Sequence, residues 1–408
     1  MKIRIFLVLL AGCILAFCMG SRVEPKEIIN ESDVKSVVEA NNQFCFKLYH
    51  NLREKELGNI FFSPFSITMA MAIVFEGARG WVAEEMVDVF KFPVEPEIRR
   101  RSFRTLYQSL NKEDAKCKLN LANALWIQKD YPILSDYLKA IKEYYSGNAT
   151  NVDFINATER ARQMINAWVE EKTNNRIKNL FPPGSLNSNS RLVVTNAIYF
   201  KGNWQKQFDK KLTIEEDFYV SETKIIKVPM MRRTDPEAIF NYADTDLLQI
   251  LEIPYEGNDL SMIILLPKDR SVSDLENKLN KDNLEEWKKQ LSKQRVNVYI
   301  PRFTFEIRYE LTTNLSELGM PNAFAPHCDL SGIDGTKNLY IQSVIHKAFV
   351  EVNEEGTEAA AATGVAVGIT AVRPQIPVFR ADHPFVFLIQ ERSTGNILFI
   401  GRVVEPKS

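Results

Sequence analysis

The sequence predicts an α+β fold built around a large, partly antiparallel sheet. Helical periodicity is concentrated in the first half of the chain, and continuous strand-like apolar runs dominate the second. The composition is also uniform. The 408 residues are 45% apolar and 25% charged, as in globular proteins. The length suggests two or three domains, but no Pro/Gly/Ser linker divides the chain, so one large domain remains open. With 51 Lys+Arg against 52 Asp+Glu, a formal net charge of −1 gives no reason to expect a nucleic-acid partner.

Taken in order, residues 1–20 read as a secretory signal peptide. Lys2 and Arg4 precede the apolar run Ile5–Phe17, which is short for a membrane span and gives way to Gly20-Ser21-Arg22. Leu10-Ala11-Gly12-Cys13 offers an alternative reading as a lipoprotein box, with a lipid anchor on Cys13. The mature chain is then exported, secreted or lipid-anchored, with no transmembrane segment.

Val37, Ala40, Phe44 and Leu48 share one helical face and predict the first helix. Ser63-Pro64 opens a second. Serine caps, proline is pre-shaped for the first turn, and Ile67–Phe75 follows before Gly77 stops it. This helix is apolar nearly all round and should be buried. Further helices are predicted near 99–111, 135–146 and 158–173. The run Leu192–Phe200, rich in β-branched and aromatic residues, predicts a strand buried on both faces. Met262–Leu266, Val296–Ile300 and Val344–Val352 look similar. Pro384–Gln390 and Ile397–Val404 flank Ser393-Thr394-Gly395-Asn396 as a β-hairpin.

Signatures of catalysis are missing. The four histidines (His50, His327, His346, His383) lie in no H-E-x-x-H helix, and there is no G-x-S-x-G elbow or phosphate-binding glycine loop. The balance is against an enzyme, and neither a metal nor a cofactor is expected. Of five cysteines, Cys45, Cys117 and Cys328 outlast signal removal, an odd set that permits at most one disulfide. Asn30, Asn148, Asn156 and Asn314 head glycosylation triplets.

One segment stands apart. Asn353 to Val378, between a strong strand and the terminal hairpin, is long for a connection inside a compact domain. A flexible small-residue linker or an Ala-rich helix is the bland reading. Its alternation points elsewhere. Thr357, Ala359, Ala361, Thr363, Val365 and Val367 fall on one face of an extended chain, while the only charge, Glu358, falls on the other with Ala360, Ala362 and Gly364. That is the pattern of a loop able to become a strand.

Across essentially the whole mature chain, the sequence resembles the serpin family. Asn59-Ile-Phe-Phe-Ser-Pro-Phe-Ser-Ile67 is similar to the motif opening the family's second helix, and Asn196-Ala-Ile-Tyr-Phe-Lys-Gly-Asn-Trp204 to its central-sheet signature. Val228-Pro-Met-Met231, Asp329-Leu-Ser-Gly332 and Asp382-His-Pro-Phe385 match further blocks. Gly356-Thr-Glu-Ala-Ala360 resembles the hinge of inhibitory members. The resemblance implies a single serpin domain over 21–408, with a large central sheet, further sheets, about eight or nine helices and an exposed reactive loop at about 354–378. It implies a monomeric suicide-substrate inhibitor whose partner is a serine protease, trapped covalently when the cleaved loop inserts into the main sheet. A non-inhibitory carrier or chaperone is the alternative.

The resemblance also assigns residues. The hinge is Glu354, Gly356, Thr357, Glu358 and Ala359, Ala360, Ala361, Ala362. Family spacing sets the scissile bond at Thr370-Ala371, with Ile369, Ala371, Val372 and, for the shortest loops, Arg373 as competitors. Pro374 makes Arg373 a poor trypsin site, and the small apolar surroundings suit elastase-like or subtilisin-like enzymes. Ser66, Asn196 and His346 match positions beneath the sheet where strands part. Trp204, Arg302 and Glu354 match the point of hinge entry, with an Arg302–Glu354 ion pair restraining the unreacted loop. Arg99, Arg100, Arg101 and Arg104 crowd a helix that in some members binds sulfated polysaccharide.

Overall fold

Ser63 caps its helix as its position predicts. Its hydroxyl accepts a hydrogen bond from the Ser66 amide (3.1 Å), and α2 (Pro64–Gly77) follows with all 14 residues buried. A helix with no polar face needs cover on every side, and the fold supplies it: α2 packs between two sheets. The computed structural model describes residues 30–112, 115–357 and 376–407.

On one side of α2 lies a seven-stranded sheet in the order β1-β17-β16-β9-β8-β7-β10. Its strands are β1 (Ile60–Phe62), β7 (Ile239–Asp244), β8 (Leu248–Pro254), β9 (Leu260–Pro267), β10 (Ser292–Arg295), β16 (Phe385–Glu391) and β17 (Ile397–Val403). On the other side, β12 (Phe303–Glu310), β13 (Ile341–Val352), β4 (Leu192–Asn203), β2 (Lys118–Gln128) and β3 (Asn148–Val152) form the main sheet in that order. A short sixth strand, β14 (Gly356–Thr357), pairs with the end of β4. A third sheet has the order β15-β11-β6-β5, from β5 (Ile214–Tyr219), β6 (Ile225–Arg233), β11 (Asn297–Pro301) and β15 (Val378–Arg380).

The helices are α1 (Glu31–Arg53), α3 (Gly80–Phe90), α4 (Pro96–Leu110), α5 (Ser135–Tyr145), α6 (Thr158–Lys172), α7 (Ser273–Lys278), α8 (Lys281–Lys289), α9 (Thr312–Glu317) and α10 (Ser331–Asp334), besides α2. There are ten helices among the described residues, against the eight or nine that the family resemblance implies, and α7, α9 and α10 are too short, at six, six and four residues, to show a periodicity. None is long and apolar enough to cross a membrane.

Alternation along β4 sorts its side chains. Leu192, Val194, Ile198 and Phe200 join the main core with α2, while Val193 and Ala197 join a second core beneath α6. There Trp126 of β2 meets Trp168 of α6 edge to face at 5.5 Å. Cys45, Cys117 and Cys328 are free and buried, so the one permitted disulfide does not form. Asn314 is also unsuited to a glycan, being 7% exposed with its amide donating to Asn51 Oδ1 at 2.6 Å.

Candidate functional site

Within the main sheet, β4 and β13 run parallel, His346 beside Asn196, in a junction flanked by antiparallel pairs. Beneath it lies a buried polar cluster. Ser63, Ser66, Asn196 and His346 are fully buried, and Asn123 nearly so. The Ser63 amide donates to His346 Nε2 (3.2 Å), which makes Nε2 an acceptor and leaves the ring proton on Nδ1, facing Asn196 Oδ1. The Asn196 amide donates to the Ser66 carbonyl at 2.9 Å and meets the Ser66 hydroxyl and Asn123 Oδ1. Burial holds the His346 pKa down at about 3. The three predicted residues do converge. Ser63 and Asn123 complete the set, and only the N-cap signal at Ser63 was legible beforehand.

At the top of the same junction the chain leaves β13 and turns sharply. Asn353 and Gly356 bridge, with the Asn353 amide donating to the Gly356 carbonyl (2.9 Å) and Asn353 Oδ1 accepting from the amides of Glu355 (3.0 Å) and Gly356 (3.2 Å). Gly356 has φ +141°, and a Cβ there would stand 2.3 Å from the Gly202 carbonyl oxygen. Both the conformation and the close approach require glycine. Trp204 lies stacked on Tyr255 at 4.6 Å, and its indole donates to the Asn353 carbonyl at 2.9 Å. Its amide donates to the Glu355 carbonyl, and that of Phe208 to the Glu354 carbonyl.

The Arg302–Glu354 pair is present at 3.7 Å, with the carboxylate side chain 3% exposed and the guanidinium 43%. Thr213 Oγ1 also donates to Glu354 (2.7 Å), and Lys210 pairs with Glu355. Asn353, Lys210 and Thr213 were missed by sequence reasoning. The Asn-x-x-Gly spacing is a turn signature that would have found the first.

Three independent pairings agree at this point. Extending the Asn353–Gly356 bridge by one residue sets Thr357 beside Val352. β14 sets Thr357 beside Gly202. Extending the β13–β4 ladder past Phe349–Tyr199 sets Val352 beside Gly202. A strand continuing from Thr357 would therefore be antiparallel to both neighbours, and β4 and β13 need only part sideways to admit it. The returning chain is tied down at Val378, which pairs with Asn297 in the third sheet. Glu358, Ala359, Ala360, Ala361, Ala362, Thr370 and Ala371 lie outside the described residues.

Of the predicted polyanion face, Arg99 and Arg100 are drawn inward. Arg99 is 4% exposed and pairs with Glu76 at 2.8 Å, and Arg100 binds the other oxygen of the same carboxylate at 2.7 Å. Arg101 and Arg104 remain near the surface, facing Glu97 and Glu143. Sequence periodicity showed Phe103, Leu106 and Leu110 on the inner face of α4, but not that the helix was pinned at its start by a buried acid.

The comparisons agree with this geometry over nearly the whole chain. The family model "Serpin (serine protease inhibitor)" matches residues 39–406. A serpin-like protein of Thermococcus kodakarensis is 43% identical over 93% of this chain and 88% of its own. Leukocyte elastase inhibitor of Bos taurus is 42% identical over 90% of this chain and 98% of its own. The crystal structure of uncleaved ovalbumin superposes with a TM-score of 0.83 at 33% identity, covering 91% of this chain and all of that one. A main sheet with a parallel junction over a buried polar cluster, and a hinge turned back at the top of that junction, are thus carried by a chain that belongs to the serpin family.

Proposed function

We propose that this serpin is an exported inhibitor of serine proteases that traps its target by inserting the cleaved loop between β4 and β13. The observation that carries the reading is the agreement of the three pairings at Thr357, which leaves a slot in register for residues 357–367. In that register Thr357, Ala359, Ala361, Thr363, Val365 and Val367 share the core-facing side with Gly202, Phe200, Ile198, Asn196, Val194 and Leu192. The uncharged set of the alternation is the set that becomes buried.

The protease serine attacks the carbonyl carbon of Thr370. The bond to Ala371 breaks, the proton passes to the departing amine, and the protease is left as an ester on the new carboxyl end. Insertion then replaces one parallel ladder with two antiparallel ones. Each added hydrogen bond is worth only about 1 kcal/mol net, but they form cooperatively along the strand. Thr363 falls between His346 and Asn196, so its hydroxyl reaches the pair whose mutual hydrogen bond must break.

A target of elastase or subtilisin type is supported by the small apolar residues around 370 and by the relative named leukocyte elastase inhibitor. Export rests on the basic start and the apolar run at Ile5–Phe17. The test is incubation with pancreatic elastase and with subtilisin, followed by denaturing electrophoresis and mass spectrometry of the released peptide. A denaturant-stable complex with a cut after 370 is expected. Turnover as a simple substrate, with no complex, would leave the non-inhibitory alternative.

A further inference from the structure

Between β13 and β14 the chain reverses through only two residues, Glu354 and Glu355, flanked by the bridged pair Asn353 and Gly356. Both backbone bonds of that pair are made, from the Asn353 amide to the Gly356 carbonyl at 2.9 Å and from the Gly356 amide to the Asn353 carbonyl at 3.2 Å. Two-residue hairpin loops favour Asn, Asp or Gly at their centre, because the turns that match strand twist need a positive φ there. Glutamate is a poor fit, and neither Glu354 nor Glu355 has a positive φ. Such a turn splays its strands unless something holds it.

The Asn353 side chain does so. Its Oδ1 accepts from the amides of Glu355 (3.0 Å) and Gly356 (3.2 Å), and its Nδ2 donates to Glu351 at 3.1 Å, which fixes the end of the amide that accepts. Its backbone carbonyl takes the Trp204 indole proton at 2.9 Å and ties the turn to the end of β4. Gly356 contributes the opposite quality. It permits the close approach to Gly202, but its missing side chain adds a conformational freedom that another group must remove. With both in place, Gly356 stands beside Asn203 and Thr357 beside Gly202 while the chain is still intact.

We infer that Asn353 is a positioning residue for loop insertion. Its side-chain carbonyl presets the first row of the inserted strand, so insertion after cleavage propagates from a made row instead of nucleating one. This rests on the proposed trapping mechanism. Starting a strand orders several residues for few hydrogen bonds, whereas extending one adds bonds with each residue ordered. Insertion races hydrolysis of the acyl ester, so a residue that removes the slow start raises the fraction of proteases trapped. Its part is confined to the step after the loop is cut, and acylation should not depend on it.

The experiment compares the full chain as wild type, as Asn353→Leu, which keeps the bulk and loses the acceptor, and as Asn353→Asp, which keeps the acceptor. In the intact proteins, hydrogen exchange should find the amides of Trp204 and Gly356 protected in wild type and freely exchanging in Asn353→Leu, with the urea midpoint of the whole fold little changed. Against elastase or subtilisin, Asn353→Leu should raise the turnovers lost per trapped protease by about five-fold, the equivalent of one net hydrogen bond, at an unchanged rate of acylation. A carboxylate at 353 meets Glu351, so Asn353→Asp should recover both readouts in high salt, where that repulsion is screened. Protected hinge amides in Asn353→Leu, or an unaltered partition once those amides exchange freely, would overturn the assignment. So would an Asn353→Asp that still behaves like Asn353→Leu in high salt. If wild type forms no stable protease complex while exchange still follows the residue at 353, the inhibitory reading fails and the preset register stands.

Discussion

At the scale of single residues, His346 is the group whose charge state the fold has decided. Its Nε2 accepts from a backbone amide and the ring is fully buried, so a second proton has neither solvent nor an acceptor. The folded pKa is held down at about 3, against about 6.5 in an unfolded chain. Below about pH 6.5 the unfolded state therefore binds more protons, and stability is lost as pH falls, by up to about 1.4 kcal/mol per unit. The stability difference between wild type and His346→Gln should narrow by about 2 kcal/mol between pH 7 and pH 5. Urea unfolding at the two pH values checks this, and a pH-independent difference would refute it. Thr357, which leads in the proposed insertion, stands beside Gly202, a position walled by Cys117, Phe200 and Tyr255. Thr357→Arg would bring an unpaired charge into that wall. Inhibitory titration should show conversion from inhibitor to substrate, and an unchanged stoichiometry would count against insertion.

At the scale of elements, α4 and the chain beyond β14 each carry a prediction. α4 is pinned. Burial pushes the Glu76 carboxyl up, but the hydrogen bond from Arg100 and the charge of Arg99 outweigh it and hold the pKa below the usual range. Tyr145 donates to the same carboxylate at 2.7 Å, tying in α5. Removing one partner of such a buried network costs about 3–5 kcal/mol. Arg99→Ala should cost that much in chemical denaturation, whereas Arg101→Ala should stay within about 0.5 kcal/mol. Equal effects would mean that α4 presents a uniform basic face after all. The chain is held in a sheet at Thr357 and again at Val378. Thr370→Arg should create activity against trypsin-like enzymes, because the bond to Ala371 lacks the proline that follows Arg373. A wild-type complex already cut after Arg373 would show the loop register to be wrong.

For the whole molecule, the proposed mechanism requires that the intact fold be held short of its best-bonded arrangement, its parallel β4–β13 junction giving way to two antiparallel ones. Cleavage in the loop should therefore raise thermal stability. Filling the slot from Thr357 to Val367 adds backbone bonds on both sides and buries Val365 and Val367. At about 1 kcal/mol per net bond and ~25 cal/mol per Å² of apolar surface, the gain is roughly ten kcal/mol before ordering costs. Melting curves before and after limited proteolysis, with both fragments still associated, read the difference. A nicked form melting at or below the intact one would remove the inhibitory reading.

Local pattern was enough to locate the buried helix at Ser63-Pro64, the strands that became β4, β9, β13, β16 and β17, and a loop alternating like a strand, because period and capping are properties of neighbouring residues. The edge and polar strands β5, β7, β10 and β12 escaped notice, having no continuous apolar run, and so did α3. Motif resemblance supplied Ser66, Asn196, His346, Trp204, Arg302 and Glu354, but not what each one touches. That Asn196 faces the Nδ1 proton of His346, and that Arg99 is inside and bonded to Glu76, depend on pairs tens to hundreds of residues apart. A one-dimensional pattern states which face a side chain takes. Only the tertiary structure decides which strand lies beside it, and here three such pairings close on one row at Thr357.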